Sequence, residues 1–208
     1  MCGAEVFALP ESVQRVARFL QDAGHPHAPQ MLGGAARTSQ EAADQLGILV
    51  GQVAKSVIFK HKESGGHVLV VAAGDRRVDE KKVTALVGKI GRADADFVKA
   101  QTGFSIGGVS PVAHLQTPIT LIDSSLARFE VLWAAAGHPN AVYPMSLEQL
   151  QNLTQAPVVE LAQAVMDMIQ ALRVDGVIDQ GAVPYYAGVS VGGAIALQLA
   201  HDHPGAFQ

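Results

Sequence analysis

Three places in this 208-residue chain combine residue types that can do chemistry. Lys55 stands at the entrance of the apolar run Ser56-Val57-Ile58-Phe59-Lys60. A lysine there can hold a phosphate or a ligand carbonyl as a compact point charge, although a lysine at a strand end is ordinarily solvated. The stretch Thr102-Gly103-Phe104-Ser105-Ile106-Gly107-Gly108-Val109-Ser110-Pro111 joins three glycines to a proline. Adjacent glycines tolerate positive φ and let a ligand approach the main chain, so their N–H groups can meet a carbonyl or phosphate oxygen. A tight turn between a helix and a strand explains the same composition. The third place is Gly188-Val189-Ser190-Val191-Gly192, where the glycines permit the sharp strand-to-helix turn of a nucleophile elbow.

The serine lacks its companions. Residues 163–208, with the helix-like run Val165 to Leu172 ahead of the elbow, resemble a fragment of an α/β-hydrolase. In that fold the acid and the histidine follow the serine at a distance, whereas His201 and His203 share its local segment and 18 residues follow Ser190 here. A serine ester hydrolase using Ser190 is the lesser reading of this stretch; a structural appendage is the greater. The histidines do not form a metal-binding pattern either. His25-Pro26-His27 and His201-Asp202-His203 are close pairs in turn-like segments, whereas helical ligand pairs sit four apart. Cys2 is the only cysteine, so an internal disulfide and a cysteine-rich zinc site are excluded. No metal and no cofactor is expected.

The elements that must position these residues are legible from periodicity. Val13, Val16, Ala17, Phe19 and Leu20 recur at helical spacing after Pro10 and before Gly24. Thr38-Ser39-Gln40-Glu41 reads as a capped helix start, with an apolar stripe of Ala42, Ala43 and Leu46. Two strands fit 56–60 and 68–73 around the turn Glu63-Ser64-Gly65-Gly66, and short amphipathic helices fit 79–87 and 94–101. Strands over 119–123 and 130–134 and a helix over 146–153 complete the pattern. Short strands interspersed with short helices predict a mixed α/β (α+β) domain, a mixed sheet flanked by helices. No repeat or low-complexity tract is visible.

Composition narrows the function. Apolar residues make up 49% of the chain and charged ones 16%, enough for a sizeable core and too apolar for wholesale disorder. The net charge of −4 excludes a binder that relies on a large positive field, and DNA is not an expected partner. Residues 163–208 contribute four acids and one base, which leaves the body at −1, so a local basic cluster such as Arg76-Arg77 with Lys81-Lys82 can still meet a nucleic-acid end. With no long apolar run and no basic, apolar leader at Met1-Cys2-Gly3-Ala4-Glu5, no membrane association and a cytoplasmic location are expected. The domain boundary is expected at 162/163.

Taken in order, Val53-Ala54-Lys55-Ser56-Val57-Ile58-Phe59, Asp79-Glu80-Lys81-Lys82-Val83 and the Thr102 to Pro111 loop resemble the YbaK / prolyl-tRNA synthetase-associated editing family. The likeness runs from about Ser12 to Ala162 and includes Leu121-Ile122-Asp123 and Trp133-Ala134-Ala135-Ala136-Gly137. It implies a YbaK-like fold over residues 1–162 and a trans-editing deacylase. Such a protein removes a small wrong amino acid from mischarged tRNA, typically that for proline, without a metal and with help from the substrate's own ribose hydroxyl. It further implies that Lys55 binds the aminoacyl end or terminal adenosine, and that Gly107 and Gly108 place main-chain donors against the substrate. Phe104, Ser110 and Pro111 of the loop are expected to bind substrate. Thr38 is a further candidate that helix capping also explains, and His138, after the last strand, can line the amino-acid pocket or be a loop histidine. The implied partners are the acceptor end of a mischarged tRNA and prolyl-tRNA synthetase. A tRNA- or synthetase-binding module without turnover is the non-enzymatic alternative. No obvious protein general base stands between Lys55 and the loop; Asp123 is a candidate, and a strand-end or turn role suits it better.

Overall fold

Among residues 9–163, which a computed structural model describes, the apolar spacing and capping signals become five α-helices and eight strands. The elements are α1 (Glu11–Asp22), β1 (Gln30–Met31), α2 (Ser39–Leu46), β2 (Val53–His61), β3 (His67–Ala73), α3 (Glu80–Val87), β4 (Ile90–Arg92), α4 (Ala95–Thr102), β5 (Ile119–Asp123), β6 (Leu132–Ala135), β7 (Ala141–Met145), α5 (Leu147–Thr154) and β8 (Val158–Val159). The nucleophile-elbow motif around Ser190 and the helix expected after it lie outside the described residues. The helix starts are chemically fixed. Thr38 and Glu41 form a reciprocal capping box, Ser146 and Gln149 form another, and the Asp79 and Asp94 carboxylates accept main-chain N–H groups of α3 and α4. Each such cap contributes about 1 kcal/mol.

The strands form one mixed sheet in the order β1-β7-β6-β2-β3-β5-β8, with β4 also pairing β2. β2 runs antiparallel to β3 and β4 and parallel to β6, while β3-β5 and β5-β8 are parallel. All seven residues of β3 are buried, which is why its sequence is a continuous apolar run rather than an alternating one. Leu69, Val71 and Ala73 face a core built with α1, α4 and α5, which includes Val13, Val16, Val98 and Leu150. Val68, Val70 and Ala72 face the other side, against Val83 of α3 and Leu161. α2 covers a third cluster beside Val53.

The mixed fold, five helices and the long strands match the expectation, with differences at the margins. The strand expected over 130–134 is Leu132–Ala135, and β1, β4, β7 and β8 have no counterpart in the sequence reading. Three of these are only two or three residues long. β7 contains Pro144, which lacks a ladder donor and disguises the strand. It is held by register to β6, where Trp133 lies opposite Pro144, and the Pro144 carbonyl meets His25 Nε2 at 2.9 Å. Among the described residues no helix is long and apolar enough to cross a membrane.

Candidate active site

The central strand β2 is fully paired on one side only. Along β3 its register runs unbroken from Ala54 to Lys60. On the opposite edge β6 covers Val53 and Ala54, β4 covers Phe59 to His61, and the stretch between them has no strand opposite. A cleft of about 430 Å³ occupies this gap. Its walls are β2 from Val53 to Ile58, Arg37, Thr38 and Ser39 at the start of α2, Trp133 and Ala135 of β6, and Ile106 and Gly107 of the glycine loop. Ala42, Leu46, Val98, Val109 and Val142 make much of the remaining surface apolar.

Lys55 borders this cleft and is half-buried. Its Nζ donates to the Gly74 carbonyl at 3.3 Å and to the Arg76 carbonyl, which leaves one ammonium donor for a ligand. Burial pushes its pKa below the ordinary lysine range; Asp75 and Asp123 oppose that shift, and Arg77 adds to it. The turn that supplies these carbonyls is pinned in place. A Cβ on Gly74 would lie 2.3 Å from the Val50 carbonyl oxygen, so only glycine lets the turn approach that segment. Arg128 clamps Asp75 through two hydrogen bonds of 2.7 and 3.0 Å, and holds its carboxyl below the usual range although burial alone would raise it.

Across the cleft, α4 ends at Gly103 (φ 75°) and the loop turns again at Gly107 (φ 90°). Gly107 lines the cleft. Gly108 lies one residue deeper, where an added Cβ would be 2.6 Å from the carbonyl carbon of His138, so the loop rests on the His138-Pro139 main chain. Phe104 is fully buried beneath the loop with the Arg15 guanidinium 4.4 Å from its ring centre. Ser110 and Pro111 are buried too, and Ser110 Oγ accepts the Val112 N–H at 3.3 Å. His138 is half-buried and its Nδ1 accepts the Asn140 N–H at 3.2 Å; it is the neighbouring Pro139 that lines the cleft. The Thr38 hydroxyl caps α2, and the residue borders the cleft.

The loop has a second support away from the cleft. His114 Nε2 meets the Ser110 carbonyl at 2.7 Å, and His114 Nδ1 lies 2.8 Å from Nε2 of the buried His67. Burial pushes the His114 imidazole down to about 4. It is therefore neutral at pH 7: Nε2–H donates to the carbonyl, and Nδ1 accepts from His67.

Asp123 does not reach the cleft. Its carboxylate accepts the N–H groups of Leu161 and Ala162 at 2.7 and 2.9 Å, and the N–H and hydroxyl of Ser125, which makes it a strand-end anchor. Within the basic cluster, Lys82 pairs with Glu160 at 3.1 Å and Arg77 is exposed. Sequence reasoning treats Ser56 as a strand residue only and passes over Arg37 and Ile106, all three of which line the cleft. A polar residue at 56 between the core-facing Ala54 and Ile58 is the signal that was available.

Comparison with known proteins gives a consistent picture. The aminoacyl-tRNA editing domain family matches residues 34–153. The uncharacterized protein YwhH of Bacillus subtilis (strain 168) is 33% identical over 118 residues, 56% of this chain and 74% of that protein. A solved structure described as a candidate trans-editing enzyme for prolyl tRNA synthetase is 35% identical, with a TM-score of 0.71 over 75% of this chain and 99% of that one. The hypothetical protein APE2540 is 28% identical, with a TM-score of 0.67 over 72% of this chain and 99% of its own.

Proposed function

We propose that this chain, which belongs to the family of aminoacyl-tRNA editing domains, hydrolyses the ester joining a small non-cognate amino acid to tRNA, with proline tRNA as the substrate. The observation that carries the proposal is that Lys55 and Gly107 border one cleft of about 430 Å³ with mainly apolar walls. The remaining donor of Lys55 anchors the terminal adenosine or its phosphate. The Gly107 N–H orients and polarises the ester carbonyl, an interaction whose loss costs on the order of 3 kcal/mol. The Gly108 N–H expected to share that role donates instead to the Ser105 carbonyl at 3.0 Å and closes the loop. Water attacks the carbonyl carbon, the bond to the ribose oxygen breaks, and the proton given up by water ends on that oxygen. The neighbouring ribose hydroxyl, held beside the ester, assists the transfer by proximity. Phe104, Ser110, Pro111 and His138 act through the loop they support, while Thr38 acts at the rim.

Selection rests on size, because each methylene contributes only about 1–3 kcal/mol of discrimination in an apolar pocket. The description of the 35%-identical structure supports proline tRNA and a working association with prolyl-tRNA synthetase, in the cytoplasm where charged tRNA is used. Residues 1–162 carry the activity, and residues 163–208 form an extension without a part in it. The test is deacylation of proline tRNA carrying alanine, cysteine, 2-aminobutyrate or proline, by wild type and by Lys55→Ala. Hydrolysis of the small non-cognate esters, lost in Lys55→Ala and intact in Ser190→Ala, is the expected result. Binding of the charged tRNAs without hydrolysis of any would replace the enzyme with a binding module. Labelling by a fluorophosphonate probe, with ester hydrolysis lost in Ser190→Ala, would replace it with a serine hydrolase.

A further inference from the structure

Ser56 lines the cleft, yet its hydroxyl is buried and has no hydrogen-bond partner among the described residues. Buried polar groups in native structures are nearly always paired, so an orphan in the wall of a cleft calls for a partner. The main chain at this residue points to the same need. His61 donates its N–H to Gly66 on the β3 side, and Lys62 donates to Lys89 on the β4 side. Main-chain polar groups alternate along a strand, so the even-numbered residues of β2 turn theirs toward the edge shared with β4 and β6. At Ala54 that edge is covered by β6 and at Lys60 by β4; at Ser56 neither strand reaches. Ser56 thus offers one N–H donor, one carbonyl acceptor and one hydroxyl together, in a cleft whose lining also includes Ile58, Val98 and Trp133.

We propose that Ser56 reads the α-amino-acid part of the substrate as if it were one residue of the missing strand. The substrate's α-ammonium donates to the Ser56 carbonyl and hydroxyl, and its acyl carbonyl accepts the Ser56 N–H on the lone pair that the glycine loop leaves free. This rests on the deacylase reading for the identity of the ligand, and adds to it that the site demands a free α-amino group. A pocket that hydrogen-bonds a substrate group rejects analogues lacking it far more strongly than it rejects a change in apolar size.

Two ligands that are not hydrolysed test the idea on the full chain: adenosine carrying alanine through a 3′-amide, and adenosine carrying propionate in the same linkage, which lacks only the amino group. The alanyl compound is expected to bind at least tenfold more tightly and to shift the Ser56 amide resonance at saturation. Ser56→Ala should narrow the ratio at least threefold, Ser56→Thr should restore most of it, and the amide spectra of both variants report their folding. Equal affinity of the two ligands, failure of both to bind, an unmoved Ser56 amide, or an unchanged ratio in a folded Ser56→Ala protein would each overturn the assignment. Binding as expected with no hydrolysis of mischarged tRNA would remove the deacylase reading and leave this one. Hydrolysis without preference between the ligands would do the reverse.

Discussion

At the scale of single residues, the site depends on charges and donors whose surroundings limit what they can do. Lys55 is held by two carbonyls and half-buried, so it is a fixed cation rather than a swinging one. Lys55→Ala is expected to lower kcat/KM for mischarged tRNA on the order of 100-fold, about 2.7 kcal/mol of transition-state stabilisation, in single-turnover assays. Its melting temperature should change little, because the substitution also removes the desolvation of a half-buried ammonium. His114 makes a different kind of prediction. Its pKa falls from 6.5 in the unfolded chain to about 4 in the fold, so between those values the unfolded state binds more protons. Stability is therefore complete above pH 6.5 and declines as pH falls toward 4, by about 2–3 kcal/mol from this group. Urea titrations at pH 7.5 and pH 4.5 should show the loss, and His114→Gln should reduce the difference between the two, with His67 and His25, whose pKa values burial also lowers, accounting for part of the rest. A folded His114→Gln protein with the full wild-type pH dependence would rule the assignment out.

At the scale of elements, the glycine loop is two devices in adjacent positions. Gly107 has φ near +90° with open space where a Cβ would go, its nearest neighbour being Arg37 Cα at 3.7 Å. Gly108 has an ordinary φ, and a Cβ there would collide with the His138 main chain. Gly107→Ala should thus cost about 1–2 kcal/mol from left-handed backbone strain while leaving the loop in place, with deacylation reduced because the Cβ intrudes on the cleft side. Gly108→Ala should cost more, since main chain must move. Thermal melts of the two variants rank them, and the reverse order would show that backbone strain outweighs packing here. The glycine loop was visible as composition, and so was its ambiguity between a turn and a ligand cradle. Only the location of His138-Pro139 behind it separates the roles of the two glycines.

For the whole molecule, residues 1–162 are proposed to be self-sufficient. A chain ending at Gln163 should fold cooperatively and deacylate at the rate of the full chain, and Ser190→Ala in the full chain should be silent; loss of either result would give the extension a part in function. The sequence by itself determined the long elements, because their signals are local: helical spacing in α1, capping boxes at Thr38 and Ser146, and the continuous apolar run of β3. It also determined Lys55 and the glycine loop as the places of interest, through residue type and order along the chain. It did not reveal β7, whose Pro144 argues against a strand until β6 pairs with it, nor the short strands β1, β4 and β8, which exist only as partners. The cleft belongs wholly to the tertiary structure. It is the space left where β6 stops at one end of β2 and β4 begins at the other, and no local preference of residues 55–58 records that two strands distant in sequence fail to meet there. For the same reason Ser56 reads in sequence as a strand residue, and only the missing neighbour exposes its donor and acceptors as a place for a ligand.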